Sequence, residues 1–265
     1  MITLIQQIAV LIGTLVGGVT DAKTGYIYDW ITYPMIAFGV LLSLAQLQWF
    51  NLVSGVAIFG ILFLVYKLGK IGGGDVKIFT GIAFLNPFNE INFLVTLAFF
   101  AAILSMLFYS IYYSIKYIRL GVDFQKEKKG IYNSIILVGI LILYFAFLLS
   151  LRFVRMEFVI LIGIPLIGGA IYIGLQKGIK ERFFDKKVLL KKLEEDEIVS
   201  ENNSKKILKL LAGKQLLGEN EIALLTKNKI SSVIVLRNLP KFGPFIFLGT
   251  IIAIINPSFF ITLFI

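Results

Sequence analysis

The sequence predicts an all-α, polytopic integral membrane bundle of about eight transmembrane helices with a small cytosolic insertion. Three observations carry this expectation. Of the 265 residues, 58% are hydrophobic and only 16% are charged, against about 25% charged residues in an ordinary soluble domain. Apolar runs long enough to cross about 30 Å of hydrocarbon, roughly 20 residues each, recur along the chain. The polar segments between them are short, except for one Lys/Glu-rich stretch at 178–239.

The first run, Ile2 to Thr20, has no basic residue ahead of it and ends in Thr20-Asp21 instead of a small-residue cleavage site, so it reads as a retained helix and not a removable leader. Trp30 to Trp49 and Leu52 to Leu68 give the second and third helices. The fourth, Asp75 to Leu85, is short and stops at Asn86-Pro87. A helix of this length must be buried among others or begin in a membrane-embedded cavity, because unsatisfied backbone is expensive in lipid. Asn92 to Ile115, Ile131 to Leu151, Phe158 to Leu175 and Phe245 to Phe264 complete the set. The chain thus divides into a membrane bundle at 1–177, an insertion at 178–239 and a last transmembrane helix at 240–265. Within the insertion, Val188 to Leu193 and Ile207 to Leu211 are amphipathic and Ser232 to Leu236 is β-prone; about 60 residues is near the lower limit for an independent core. No internal repeat or low-complexity tract is present.

Basic residues set the orientation. Lys23, Lys67, Lys70, Lys77, the group from Lys116 to Lys129 and those from Lys177 to Lys241 alternate across the predicted spans with a side that holds only Arg152 and Arg155. The positive-inside rule places the richer side in the cytosol, both termini outside, and the turns carrying Asp21 and Asp75 at the cytosolic face. The net charge of +10 follows from this topology and from attraction to anionic headgroups, which makes the lipid bilayer the expected partner. Nucleic acid is not, since basic and aromatic residues do not interleave and no binding module is recognisable.

The chain has neither cysteine nor histidine. Disulfides, thiol nucleophiles, Cys/His zinc sites and imidazole acid-base chemistry are therefore excluded. What remains for hydrolysis is carboxylates, a Ser/Lys pair or an oxygen-bound metal, and before Ile179 the acids are Asp21, Asp29, Asp75, Glu90, Asp123, Glu127 and Glu157.

The run Gly72-Gly73-Gly74-Asp75 lies between two apolar runs. Glycines such as Gly72 and Gly74 permit close backbone approach and unusual dihedrals, so Asp75 can enter a helix against a neighbour; an ordinary inter-helical turn accounts for the glycines as well. Asp21 closes the first helix, the unfavourable end of its macrodipole, and that placement requires a reason. Acids at membrane depth are commonly functional. Asp29, directly before an apolar helix, suits an N-cap. Lys77 could act on a neighbouring carboxylate or snorkel to the interface.

Asp21 followed by Ile27, Asp29, Trp30, Thr32 and Pro34, then Gly72-Gly73-Gly74-Asp75 with Lys77, resembles the type IV prepilin peptidase family and its archaeal preflagellin-peptidase relatives. These are membrane aspartyl proteases of the Gly-x-Gly-Asp type. Phe242-Gly243-Pro244-Phe245 looks like the start of a late family helix. Tyr28 and Lys241 stand where the family often has proline, and the paired-cysteine segment of bacterial members is absent, which favours the archaeal type. The resemblance implies Asp21 and Asp75 as the catalytic pair, with Gly72 and Gly74 as backbone support and Asp29 and Lys77 as secondary candidates. It implies no cofactor or metal, and precursors of prepilin-like or archaellin-like proteins, cleaved behind short basic leaders, as substrates. Two carboxylates held close share a proton, so one can take a proton from water while the other donates to the scissile carbonyl. The acids Glu194, Glu195, Asp196 and Glu197 form either a solvated helix face or an attractor for a basic leader. The rival readings are an ion-coupled transporter, which expects repeat symmetry and midplane acids, and a presenilin-like protease built on Tyr28-Asp29, whose Pro-Ala-Leu motif the chain lacks.

Overall fold

The computed structural model describes residues 2–263; Met1, Phe264 and Ile265, at the outer ends of the first and last predicted ranges, lie outside the described residues. Eight apolar helices occur where the hydrophobic runs place them: α1 (Ile2–Thr24), α2 (Asp29–Ala45), α3 (Trp49–Lys67), α4 (Gly73–Phe84), α5 (Ile91–Arg119), α6 (Phe124–Ser150), α7 (Met156–Gly174) and, after the insertion, α11 (Gly243–Ile255). Among the described residues, five helices are long and apolar enough to cross a membrane: α1, α3, α5, α6 and α7. The protein is a multi-pass membrane bundle.

Side chains and glycines determine the packing order. α4 lies between α2 and α3 and touches α1; α11 lies between α1 and α5; the α6–α7 pair flanks α5. One core joins Val10 of α1, Met35 of α2, Ile78 and Ile82 of α4, Leu97 and Ala101 of α5, and Ile246 of α11. Phe84, at the end of α4, is held between two glycines. A Cβ at Gly55 would lie 2.5 Å from its ring and one at Gly39 2.7 Å from its Cβ, so neither α2 nor α3 could approach it with a larger residue.

The short α4 is buried as its length demands. Val76, Ile78, Thr80, Gly81, Ile82, Ala83 and Phe84 are all inaccessible to solvent. The carbonyls at its end find donors on its neighbours: Ser43 Oγ donates to the Phe84 carbonyl at 2.8 Å and Asn51 Nδ2 to the Asn86 carbonyl at 2.8 Å. Two otherwise orphaned acceptors are satisfied without water.

Several predicted boundaries move. α1 continues one turn past Thr20, closed by Gly25 at φ +80°, whose amide donates to the Asp21 carbonyl at 2.8 Å. α6 starts at Phe124 instead of Ile131, because Asp123 caps it by accepting from the Lys126 amide at 3.2 Å. The last helix is not continuous to Phe264. Pro257 has no amide to donate and forces Asn256 into an extended conformation, so α11 ends at Ile255 and a short α12 (Phe259–Thr262) follows.

α5, at 29 residues, is roughly 44 Å long at about 1.5 Å per residue and overshoots the hydrocarbon thickness. Its overhanging end meets the insertion, where Tyr113 packs on Phe183 and Phe184. The insertion opens with α8 (Gln176–Ile179) and then departs from all-helical form. It contains β1 (Asp185–Leu189), β2 (Ile198–Val199), α9 (Lys205–Leu210), α10 (Glu219–Lys227) and β3 (Ser232–Leu236), the strands forming an antiparallel sheet in the order β1-β3-β2. The amphipathic Val188 to Leu193 is the end of a strand running into a single 3-10 turn. Val188, Val199, Ile207, Leu211, Leu217, Leu225, Val233 and Val235 form its own core. On its surface Glu221 accepts from Lys214 at 2.6 Å, an ion pair that holds the carboxyl below its usual range.

Candidate active site

Asp21 sits in the last turn of α1, with only 6% of its surface accessible. A buried acid at a helix carboxyl end is doubly unfavourable, and the fold answers with the amino end of another helix. The Gly243 amide, at the start of α11, donates to Asp21 Oδ2 at 2.7 Å, and the Phe242 amide also points at this carboxylate. The positive end of the α11 dipole therefore offsets the negative end of α1. The approach depends on glycine, since a Cβ at Gly243 would lie 2.9 Å from Asp21 Cβ and 3.2 Å from Gly18 Cα.

Asp75 occupies the third position of α4. It is half-buried and turns back toward the amide of Gly72, the N-cap, as the acid of a capping box does. A Cβ at Gly72 would meet its Oδ2 at 3.1 Å. Gly74 is required for a different reason: a Cβ there would lie 2.9 Å from Ile27 Cβ and 3.2 Å from the Ile27 carbonyl, so the start of α4 rests directly on the turn between α1 and α2. None of Gly72, Gly73 and Gly74 has positive φ. Closeness, and not an unusual dihedral, is what demands glycine here. With α1 and α4 in contact through Gly17 and Ile78, Asp75 lies within reach of the charge on Asp21.

Asp29 is the first residue of α2 and does not cap it; Tyr28 holds the N-cap position without a side-chain bond. The Asp29 carboxylate, half exposed, pairs instead with Lys77, whose ammonium also lies 4.9 Å above the Tyr33 ring. The lysine two places after Asp75 is thereby engaged away from both Asp21 and Asp75. Among the described residues, no cluster of three or more His, Cys, Asp or Glu is arranged to hold a metal ion.

One residue of this neighbourhood, Tyr109, is not singled out by sequence. Tyr109 of α5 both donates to the Lys241 carbonyl at 2.8 Å and accepts from the Lys241 amide at 2.9 Å, while Lys241 Nζ donates to the Ala22 carbonyl at 2.6 Å. Pro240 and Gly243-Pro244 ahead of an apolar run do signal a helix start near Lys241, but Tyr109 is one aromatic among many on an apolar helix. Glu127, 2% exposed, is a second buried acid; it accepts the Gly178 amide at 2.6 Å and roots the insertion on α6.

The insertion also touches the approach to Asp75. Lys70 Nζ donates to Gln215 Oε1 at 2.9 Å, and Tyr66, against which Gly73 packs, faces the Asp196 carboxylate. The acids Glu194 to Glu197 lie on a turn and not on a helix. Glu197 is taken by Arg237, leaving Glu194 and Glu195 exposed.

Residues 8–111 match the model of the type IV leader peptidase family. Over 97 residues the chain is 31% identical to the prepilin peptidase EppA of Methanothermobacter thermautotrophicus, an alignment that covers 34% of this chain and 25% of that protein. The chain therefore spans about a quarter of the length of the curated relative it matches. No solved structure matches the chain. The segment that carries both Asp21 and Asp75, α1 to most of α5, is thus similar to the type IV leader peptidases.

Proposed function

We propose that the protein is a membrane aspartyl endopeptidase that removes short basic leaders from type IV prepilin-like or archaellin-like precursors at the cytosolic face of the membrane. The observation that carries this reading is that Asp75, at the start of α4, lies within reach of the charge on Asp21, at the end of α1, inside the segment that matches the leader peptidases. A water held between the two carboxyl groups is activated by one and attacks the scissile carbonyl, whose oxygen receives a hydrogen bond from the other. The exposed Glu194 and Glu195 stand on the turn that faces Tyr66 and suit the basic side chains of a leader. Incubation of the purified protein with a precursor bearing a basic leader tests the reading. A single cut at the leader junction, seen by sequencing the new amino terminus, is expected; an intact precursor after prolonged incubation overturns it.

The same reading requires the insertion and both aspartates on the cytosolic side, which the distribution of basic residues supports. Because the chain has no cysteine, Lys206→Cys at an exposed position of α9 provides a single label. An impermeant maleimide is expected to react only after the cells are opened, and reaction in intact cells reverses the orientation.

A further inference from the structure

The two aspartates have unequal surroundings, and the inequality divides their work. Asp21 accepts the Gly243 amide at 2.7 Å and lies at the positive end of α11. Beside it, the Lys241 ammonium is tied to the Ala22 carbonyl at 2.6 Å and acts on the Asp21 charge. Asp75 has the Gly72 amide and no cation among the groups that act on it. We propose that Lys241, gripped by Tyr109, is a positioning residue that makes Asp21 the carboxylate that takes the proton from water and leaves Asp75 as the carboxylic acid that donates to the scissile carbonyl. This inference rests on the peptidase reading.

The grip explains why one lysine on a connecting segment can hold so definite a place. A lysine has four rotatable bonds and ordinarily spreads over many rotamers. Here the Tyr109 hydroxyl makes two hydrogen bonds to the Lys241 backbone, at 2.8 and 2.9 Å, so the stem starts from a fixed point, and the ammonium is anchored at its other end. The charged and titratable groups around Asp21 are few. α4 presents Asp75, α5 presents the Tyr109 phenol, and the segment before α11 presents Lys241. On α2, Asp29 is turned to Lys77, and on α1 itself Lys23 is exposed.

The proton balance follows. Water gives a proton to Asp21 as its oxygen bonds to the carbonyl carbon, and the Asp75 proton passes to the carbonyl oxygen, giving a neutral diol. On collapse the Asp21 proton goes to the departing nitrogen as the C–N bond breaks, and a diol hydroxyl returns its proton to Asp75. Both acids end as they began.

A lysine that merely capped α1 would contribute stability and nothing to the pH dependence. The pH profile of kcat/KM for precursor cleavage separates the two roles. In Lys241→Gln the acidic limb is expected to move to higher pH, so that activity on the acidic side falls by about tenfold while the optimum is retained, because the ionised base has lost its neighbouring cation. Tyr109→Phe, which removes one oxygen, shifts the same limb less, and Lys241→Arg restores it in part. Movement of the alkaline limb with the acidic limb unchanged would hand the base role to Asp75. A uniform fall at all pH values with a lower melting temperature would reduce Lys241 to a helix cap. Either result overturns the proposal. If Lys241→Gln does not fold, Tyr109→Phe carries the same test. Failure of the peptidase reading looks different: the wild-type protein then cleaves at no pH, and this assignment falls with it.

Discussion

On the proposed mechanism, Asp21→Asn and Asp75→Asn are each expected to abolish precursor cleavage, with a loss on the order of a thousandfold or more, because proton transfer in both directions then needs both carboxyl groups. The protein is expected to remain inserted and folded in both variants. An asparagine at position 21 keeps an oxygen for the Gly243 amide, which now lies 2.7 Å from Oδ2, and at position 75 it keeps one for the amide of Gly72. Asp29→Asn is the contrast. Its carboxylate is 55% exposed and paired only with Lys77, an interaction worth about 0–1 kcal/mol at a surface, so cleavage within about twofold of wild type is expected. Cleavage rates measured beside helical circular dichroism decide the matter. An active Asp21→Asn with a dead Asp29→Asn moves the site to Asp29, and activity in all three removes the aspartyl mechanism.

Gly243→Val has the second large effect, and it acts through packing. Even the first carbon of a side chain at this position would lie 2.9 Å from Asp21 Cβ, 3.0 Å from Oδ2 and 3.2 Å from Gly18 Cα. All three atoms belong to α1, and the two carbons cannot swing aside, so α11 has to retreat from α1. A displacement of about 1 Å at a reacting group can cost about a hundredfold in rate, and overpacking of this kind typically costs about 1–3 kcal/mol in stability. Gly139→Ala, in the middle of α6 with nothing within 4 Å of the added carbon, is expected to leave cleavage unchanged and to raise the melting temperature slightly, since alanine favours a helix interior by about 0.5–1 kcal/mol. Full activity in Gly243→Val would show that the contact between α11 and Asp21 is dispensable.

The membrane helices were legible because hydropathy acts over whole segments and lipid leaves the backbone few alternatives to a helix. Helix ends were less so, being decided by single residues: Gly25 past Thr20, Asp123 ahead of Phe124, Pro257 after Asn256. The strand at Val188 was not legible, because its partner, β3, lies more than forty residues away and periodicity within a short amphipathic segment does not distinguish helix from strand. Asp21 and Asp75 stood out as acids that apolar surroundings make conspicuous. The capping role expected of Asp29 does not hold, since Tyr28 takes the N-cap position and the Asp29 carboxylate pairs with Lys77. The oddity of an acid at the end of α1 was visible in the sequence, whereas its resolution by Gly243 was not, because that contact joins positions 222 residues apart.

That separation has a consequence for the timing of synthesis. A ribosome adding about 5–20 residues per second needs roughly 10–45 seconds to pass from Asp21 to Gly243, and α1 to α7 are made, and can be inserted, before Gly243 exists. Throughout that interval the carboxylate on α1 lacks its amide donor, its neighbouring lysine and the helix that buries it. The surroundings of Asp21 are completed only when α11, translated after α1 to α7, docks on α1; on the proposed reading a nascent chain is inert toward precursors until that contact forms.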